Sequence, residues 1–86
     1  MKRIVVYSKL GCPFCSLLKM ELAKRDLTYT EIDLTDDSNR ADFYARVGVN
    51  TVPQVFLSDE NHTPENPSGE RIGGWSEVSQ QWEKLQ

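Results

Sequence analysis

The stretch Cys12-Pro13-Phe14-Cys15 constrains this chain more than any other, because two cysteines three positions apart stand where an apolar strand gives way to a helix. Upstream, Ile4-Val5-Val6-Tyr7 reads as a short buried strand, and Ser8-Lys9-Leu10-Gly11 breaks it. Downstream, Leu17, Leu18, Met20, Leu22 and Ala23 mark a helix that starts at the motif, with Pro13 where its missing N–H costs nothing. Cys12 then falls at the helix N-cap. Exposed backbone N–H groups and the positive end of the helix dipole favour a thiolate there, and the thiolate is the form that attacks disulfides. Cys15 shares a helical face with Leu18 and Leu22, which predicts a more buried and less reactive sulfur. The pattern points to a redox pair in which one sulfur attacks and the other resolves.

Other uses of two cysteines fit less well. A bridge closing so small a loop would contribute only about 2 kcal/mol on the chain-entropy argument, so it makes a poor structural staple. A zinc site normally takes four ligands, and the only other soft donor is His62, which reads as a solvated residue in a polar loop. Redox chemistry is the usual meaning of C-x-x-C at a strand-to-helix junction.

A length of 86 residues leaves room for one domain, spanning 1–86, and one modest core. The net charge of −3 comes from acidic and basic residues mixed along the chain, with no lysine–arginine block to follow a phosphate backbone, so nucleic acid is not an expected partner. Apolar runs are only a few residues long, which argues against a membrane span. Met1-Lys2-Arg3 passes straight into a strand without the apolar stretch of a secretory signal, and both cysteines sit in one motif. A reducing, cytoplasmic location is the expectation. Without secretion, the Asn61-His62-Thr63 glycosylation pattern carries no weight.

Past the first helix, Thr28 to Leu34 alternates as a second strand. Thr35-Asp36-Asp37-Ser38 offers N-caps for a helix running to about Val47, with Phe43, Tyr44 and Val47 as its apolar stripe and Gly48 as its stop. Val55-Phe56-Leu57 makes a third strand and Arg71-Ile72 a short fourth. Between them, Asp59 to Gly69 reads as an exposed hairpin loop with no packing of its own. Ser76 is the expected cap of a closing helix carrying Val78, Trp82 and Leu85. A strand-helix-strand opening followed by a hairpin gives an α/β fold, a small mixed four-stranded sheet flanked by about three helices.

Two further segments bear on function. Thr51-Val52-Pro53 precedes the third strand, and proline there removes a ladder donor and can take a cis bond. The Val52 backbone could then pair with an extended peptide beside Cys12, although an ordinary strand-entry proline reads the same way. Gly73-Gly74 before Trp75-Ser76-Glu77 would let a ligand approach the backbone, or would simply make a turn and a helix cap.

Taken in order, Tyr7-Ser8-Lys9, Cys12-Pro13-Phe14-Cys15, Thr51-Val52-Pro53-Gln54-Val55-Phe56 and Gly73-Gly74 resemble the signature of the dithiol glutaredoxins over nearly the whole chain. The resemblance implies a thioredoxin fold, a cis bond before Pro53, and reduction of protein disulfides and glutathione mixed disulfides by Cys12 and Cys15. It implies no tightly bound cofactor or metal, with glutathione as co-substrate. It also implies where glutathione lies: Lys9 and Arg40 toward the glycine carboxylate, Thr51, Val52 and Pro53 along the cysteinyl backbone, Phe14 as an aromatic wall, and Gly74, Trp75, Ser76 and Glu77 at the γ-glutamyl end. Phe14 stands where tyrosine is more usual, Trp75 where a small residue is common, Glu77 where aspartate is typical, and the loop from Asn61 to Ser68 is longer than the family's turn. The chain resembles the compact phage-type and bacterial glutaredoxins that serve ribonucleotide reductase, which implies disulfide-containing proteins, that enzyme among them, as partners, and a monomer is expected. Reduction by thioredoxin reductase in place of glutathione, an iron–sulfur carrier sharing a cluster through Cys12 and glutathione, and a non-catalytic binding module are the alternatives. Pro13 speaks against the carrier.

Overall fold

The computed structural model describes residues 3–63 and 67–85. Met1 and Lys2, and the loop positions Pro64, Glu65 and Asn66, lie outside the described residues. The chain runs β1 (Arg3–Ser8), α1 (Pro13–Lys24), β2 (Thr30–Asp33), α2 (Asp37–Val47), β3 (Gln54–Ser58), β4 (Gly69–Gly73), α3 (Trp75–Val78) and α4 (Trp82–Leu85). The four strands form one sheet in the order β2-β1-β3-β4. β1 lies parallel to β2 and antiparallel to β3, and β3 is antiparallel to β4. This is the mixed four-stranded sheet the pattern predicts, in the thioredoxin fold.

The unbroken apolar run of β1 has a direct cause. Successive strand residues point to opposite faces, and here both faces are covered. Ile4 and Val6 pack with Leu18 and Leu22 of α1, Val55, Ile72, Val78 and Leu85 on one side. Val5 and Tyr7 pack with Leu34, Phe43 and Phe56 under α2 on the other. Tyr7 stacks on Phe43 with ring centroids 4.2 Å apart. Fully burying side chains such as Leu18 and Leu22 contributes roughly 1.5–3 kcal/mol each, so α1 is anchored by its apolar face.

Helix ends follow local chemistry. Asp36 caps α2 by accepting from the Asn39 amide at 3.0 Å, and Gly48, at φ 82°, gives the left-handed stop that returns its N–H to the Tyr44 carbonyl at 2.8 Å.

Two expectations need correction. The closing helix begins at Trp75 with Gly74 as its N-cap, not Ser76, because the Glu77 carboxylate reaches back to accept from the Gly74 N–H at 2.8 Å. It also breaks into two short pieces, α3 and α4. The Ser79 hydroxyl and the Gln81 side-chain amide donate to the Ser76 and Glu77 carbonyls, competing with the helical ladder. Trp82 is held instead by the edge of Trp75 and by the Arg25 guanidinium, 3.9 Å from its ring centroid.

His62 is the second correction, since it is 8% exposed and not solvated. Its Nε2 lies 2.8 Å from the Tyr7 hydroxyl, while Nδ1 lies 2.9 Å from the Ser68 carbonyl oxygen and 3.1 Å from the Ser68 amide. Its ring meets Phe56 edge-on. The Asp59 carboxylate accepts from the Asn61 amide at 2.9 Å and from the Ser68 hydroxyl at 2.5 Å. The described ends of the β3–β4 loop therefore do pack, tied to the sheet through His62. His62→Ala removes one end of these hydrogen bonds from a buried setting and should lower unfolding free energy by about 1–3 kcal/mol. Urea denaturation read by far-ultraviolet circular dichroism checks this, and an unchanged midpoint would show that the histidine does not hold the loop.

Candidate active site

The two cysteines are placed by the start of α1. Cys12 is its N-cap, with φ −99° and ψ 109°, and its Sγ accepts from the Cys15 amide at 3.3 Å. Pro13 occupies the first helical turn, where it gives up no hydrogen bond. Cys12 Sγ also lies 3.7 Å from the Val52 carbonyl oxygen, which joins the head of α1 to the segment before β3. The preceding loop is pinned from another side, the Leu10 amide donating to Thr35 Oγ1 at 3.0 Å.

Burial separates the two sulfurs. Cys12 keeps 9% of its surface and Cys15 only 1%, and both are free thiols. Burial first, and then the neighbouring Cys12 sulfur, push the Cys15 thiol up to about 12, while a backbone hydrogen bond from Lys9 and the Lys19 ammonium pull it partly back. Cys15 is thus a poor thiolate unless something assists it.

Beside Cys12 opens a groove of about 310 Å³ lined by Phe14, Thr51, Val52, Pro53, Gly74, Trp75, Ser76 and Glu77. The Val52–Pro53 peptide bond is cis. Eight residues from three separate segments of the sequence therefore share one wall. Gly73 has φ 128°, and a Cβ there would lie 2.7 Å from Cβ of Glu77, so the pair of glycines lets the Glu77 side chain fold back against the backbone. A Cβ on Gly74 would come within 3.2 Å of the Pro53 carbonyl oxygen.

Lys9 and Arg40 do not line this groove. The Arg40 guanidinium is turned to the β2–α2 connection, donating to the Leu34 and Thr35 carbonyls at 3.0 and 3.1 Å and pairing with Asp37 at 2.5 Å. Among the described residues no three His, Cys, Asp or Glu side chains stand together in position to hold a metal ion. No helix among them is long and apolar enough to cross a membrane.

Sequence inspection passed over a charged cluster near Cys15. Ser8 Oγ donates to Glu31 Oε2 at 2.6 Å, and Lys19 Nζ donates to the same oxygen at 2.8 Å. The Lys19 and Ser8 hydrogen bonds hold the Glu31 carboxyl below its ordinary range, and Glu31 in turn raises the Lys19 ammonium. Lys19 could have been found from its spacing, since it follows Cys15 by four residues and shares its helical face. Glu31 could not, because only the parallel pairing of β1 and β2 brings it to Ser8.

The glutaredoxin family model matches residues 4–62. Among similar proteins, the hybrid peroxiredoxin hyPrx5 of Haemophilus influenzae is 37% identical over 71 residues, covering 83% of this chain and 25% of that protein. Glutaredoxin 1 of Rickettsia typhi is 34% identical over 59 residues, covering 65% of this chain and 57% of that one. The chain thus spans a quarter to rather more than half the length of these relatives. A buckwheat glutaredoxin–glutathione complex superposes with a TM-score of 0.72 at 28% identity, covering 96% of this chain and 70% of that one. Strand order, the Cys12–Cys15 pair at the head of α1, the cis bond before Pro53 and the family match lead to one assignment: this chain belongs to the glutaredoxin family.

Proposed function

We propose that this chain is a glutathione-coupled thiol-disulfide oxidoreductase that reduces protein disulfides and glutathione mixed disulfides. One observation carries the reading: Cys12 Sγ sits at the helix N-terminus beside Val52 and the groove, while Cys15 is buried one turn below it. Cys12 as thiolate attacks one sulfur of a substrate disulfide, forming a Cys12–substrate bond and expelling the other sulfur as a thiolate. Cys15 then attacks Cys12, the second substrate sulfur leaves, and the Cys12–Cys15 disulfide is returned to the dithiol by two glutathiones that depart as glutathione disulfide. With a glutathione mixed disulfide, Cys12 takes the glutathionyl group and a second glutathione removes it.

An extended tripeptide would lie in the groove of about 310 Å³ between Phe14 and Glu77, with Thr51, Val52 and Pro53 along its middle and Gly74, Trp75, Ser76 and Glu77 at the end that would take an amine and carboxylate. Lys9 and Arg40 would supply positive charge toward the opposite carboxylate. A free dithiol suits a reducing compartment such as the cytoplasm. Disulfide-bearing proteins, ribonucleotide reductase among them, are the proposed acceptors, and the working form is a monomer.

Cys12→Ser should abolish both activities. Cys15→Ser should lose reduction of protein disulfides yet keep removal of glutathione from mixed disulfides, because glutathione itself can resolve the intermediate. An insulin-reduction assay beside a coupled mixed-disulfide assay checks the pair, and activity in Cys12→Ser would overturn the assignment of roles.

Glutathione use is tested separately. Glu77→Gln keeps an oxygen to accept from the Gly74 N–H and deletes only the charge, so its effect is not that of a broken helix cap. Losing one partly exposed charged contact costs about 1 kcal/mol, hence roughly fivefold in apparent glutathione affinity. Disulfide reduction driven by dithiothreitol should stay within about twofold of wild type. Unchanged glutathione affinity in both Glu77→Gln and Lys9→Gln would favour thioredoxin reductase as the electron source, with the Trp75 indole altering the groove.

A further inference from the structure

The dithiol reading leaves one step without an agent. To resolve the mixed disulfide Cys15 must act as a thiolate, and its burial opposes that. The nearest help lies below the helix. Ser8, itself 1% exposed, and Lys19 both donate to Glu31 Oε2, at 2.6 and 2.8 Å, so three elements converge there: the end of β1, the first turns of α1, and β2. Lys19 stands one turn after Cys15 on the same face, and Lys9, which follows Ser8, gives Cys15 a backbone hydrogen bond. None of these residues lines the groove.

We infer that Lys19, held in place by Glu31 and Ser8, is a positioning residue for the resolving half-reaction, its ammonium stabilising the Cys15 thiolate as that thiolate forms. The inference rests on the dithiol reading above. The other groups that bear on Cys15 do not supply this charge. Cys12 is neutral once bound in a mixed disulfide, the Lys9 contribution is a backbone one, and Tyr44 of α2 is kept protonated by burial. Glu31 bears a negative charge that Lys19 offsets. Removing the ammonium takes a favourable charge from beside Cys15, so a smaller fraction is ionised at neutral pH and resolution slows. Removing the Glu31 charge acts in the opposite direction.

The test uses the reduced 86-residue chain and Ellman's reagent in stopped flow. Cys12 attacks the aromatic disulfide and releases one nitrothiophenolate. Cys15 then attacks Cys12, its proton passes to water, and the second nitrothiophenolate leaves in a phase independent of reagent concentration. Lys19→Met should slow the second phase about three- to tenfold at pH 7 and move its rate–pH profile to higher pH, with the first phase unchanged. Lys19→Arg should restore the rate, and Glu31→Gln, which keeps the accepting oxygen, should not slow it. The range reflects the one-third exposure of the Lys19 side chain, which weakens its field through solvent screening. An unchanged second phase in Lys19→Met, or an equal loss in Lys19→Arg and Lys19→Met, would overturn the inference while leaving the dithiol reading intact. Release of only one equivalent by the wild-type protein would overturn both.

Discussion

The hydrogen bond from the Cys15 amide to Cys12 Sγ, 3.3 Å long, ties the reactive sulfur to the first turn of α1, and the rest of the site is arranged around it. A sulfur that caps a helix is held where orphan N–H groups and the dipole favour negative charge. The same turn carries Cys15 inward, onto the face that Leu18 and Leu22 bury against the sheet. One short stretch of backbone thereby gives two chemically identical side chains opposite surroundings. Any change that lets α1 begin elsewhere would lose both effects together.

That turn is only as firm as the sheet beneath it. β1 is central, packed on both faces, and ends at the loop that delivers Cys12. The two layers are built differently. The α1 side is aliphatic, whereas the α2 side stacks Tyr7, Phe43 and Phe56 and admits the polar His62, whose imidazole reaches the Tyr7 hydroxyl. A buried polar pair of this kind is stable only because both rings find hydrogen bonds. It connects the β3–β4 loop to the strand that leads into the cysteine motif.

The far wall of the groove is organised by a charge with two uses. Glu77 accepts from the Gly74 amide and so sets the start of α3, yet its carboxylate also lies at the groove's end. Gly73 and Gly74 make this possible because a side chain at either would crowd Glu77 or Pro53. Trp75, meanwhile, is drawn against Trp82, and that edge-on contact replaces the helical continuity lost between Val78 and Trp82.

What the amino-acid order determined alone is what near neighbours decide. The strand before the motif, the helix opening at Cys12 and Pro13, the inward face carrying Cys15, the Asp36 cap and the Gly48 stop all depend on residues a few positions apart, so periodicity and capping chemistry expose them. The groove residues were legible too, but through the family's ordered motifs and not through any local rule. Tertiary structure decided the rest. His62 looked like a solvated loop residue because its partner Tyr7 is 55 positions away, and the pairing of Lys19 with Glu31 went unread because Glu31 reaches it only across the β1–β2 pairing. The closing helix broke where side chains took its carbonyls and Trp82 found better contacts against Trp75 and Arg25. Arg40, read toward a ligand carboxylate, stands outside the groove's lining and donates to the Leu34 and Thr35 carbonyls. The Tyr7–His62 and Lys19–Glu31 hydrogen bonds leave no periodic trace in a single sequence, since they depend on which surfaces the fold brings together.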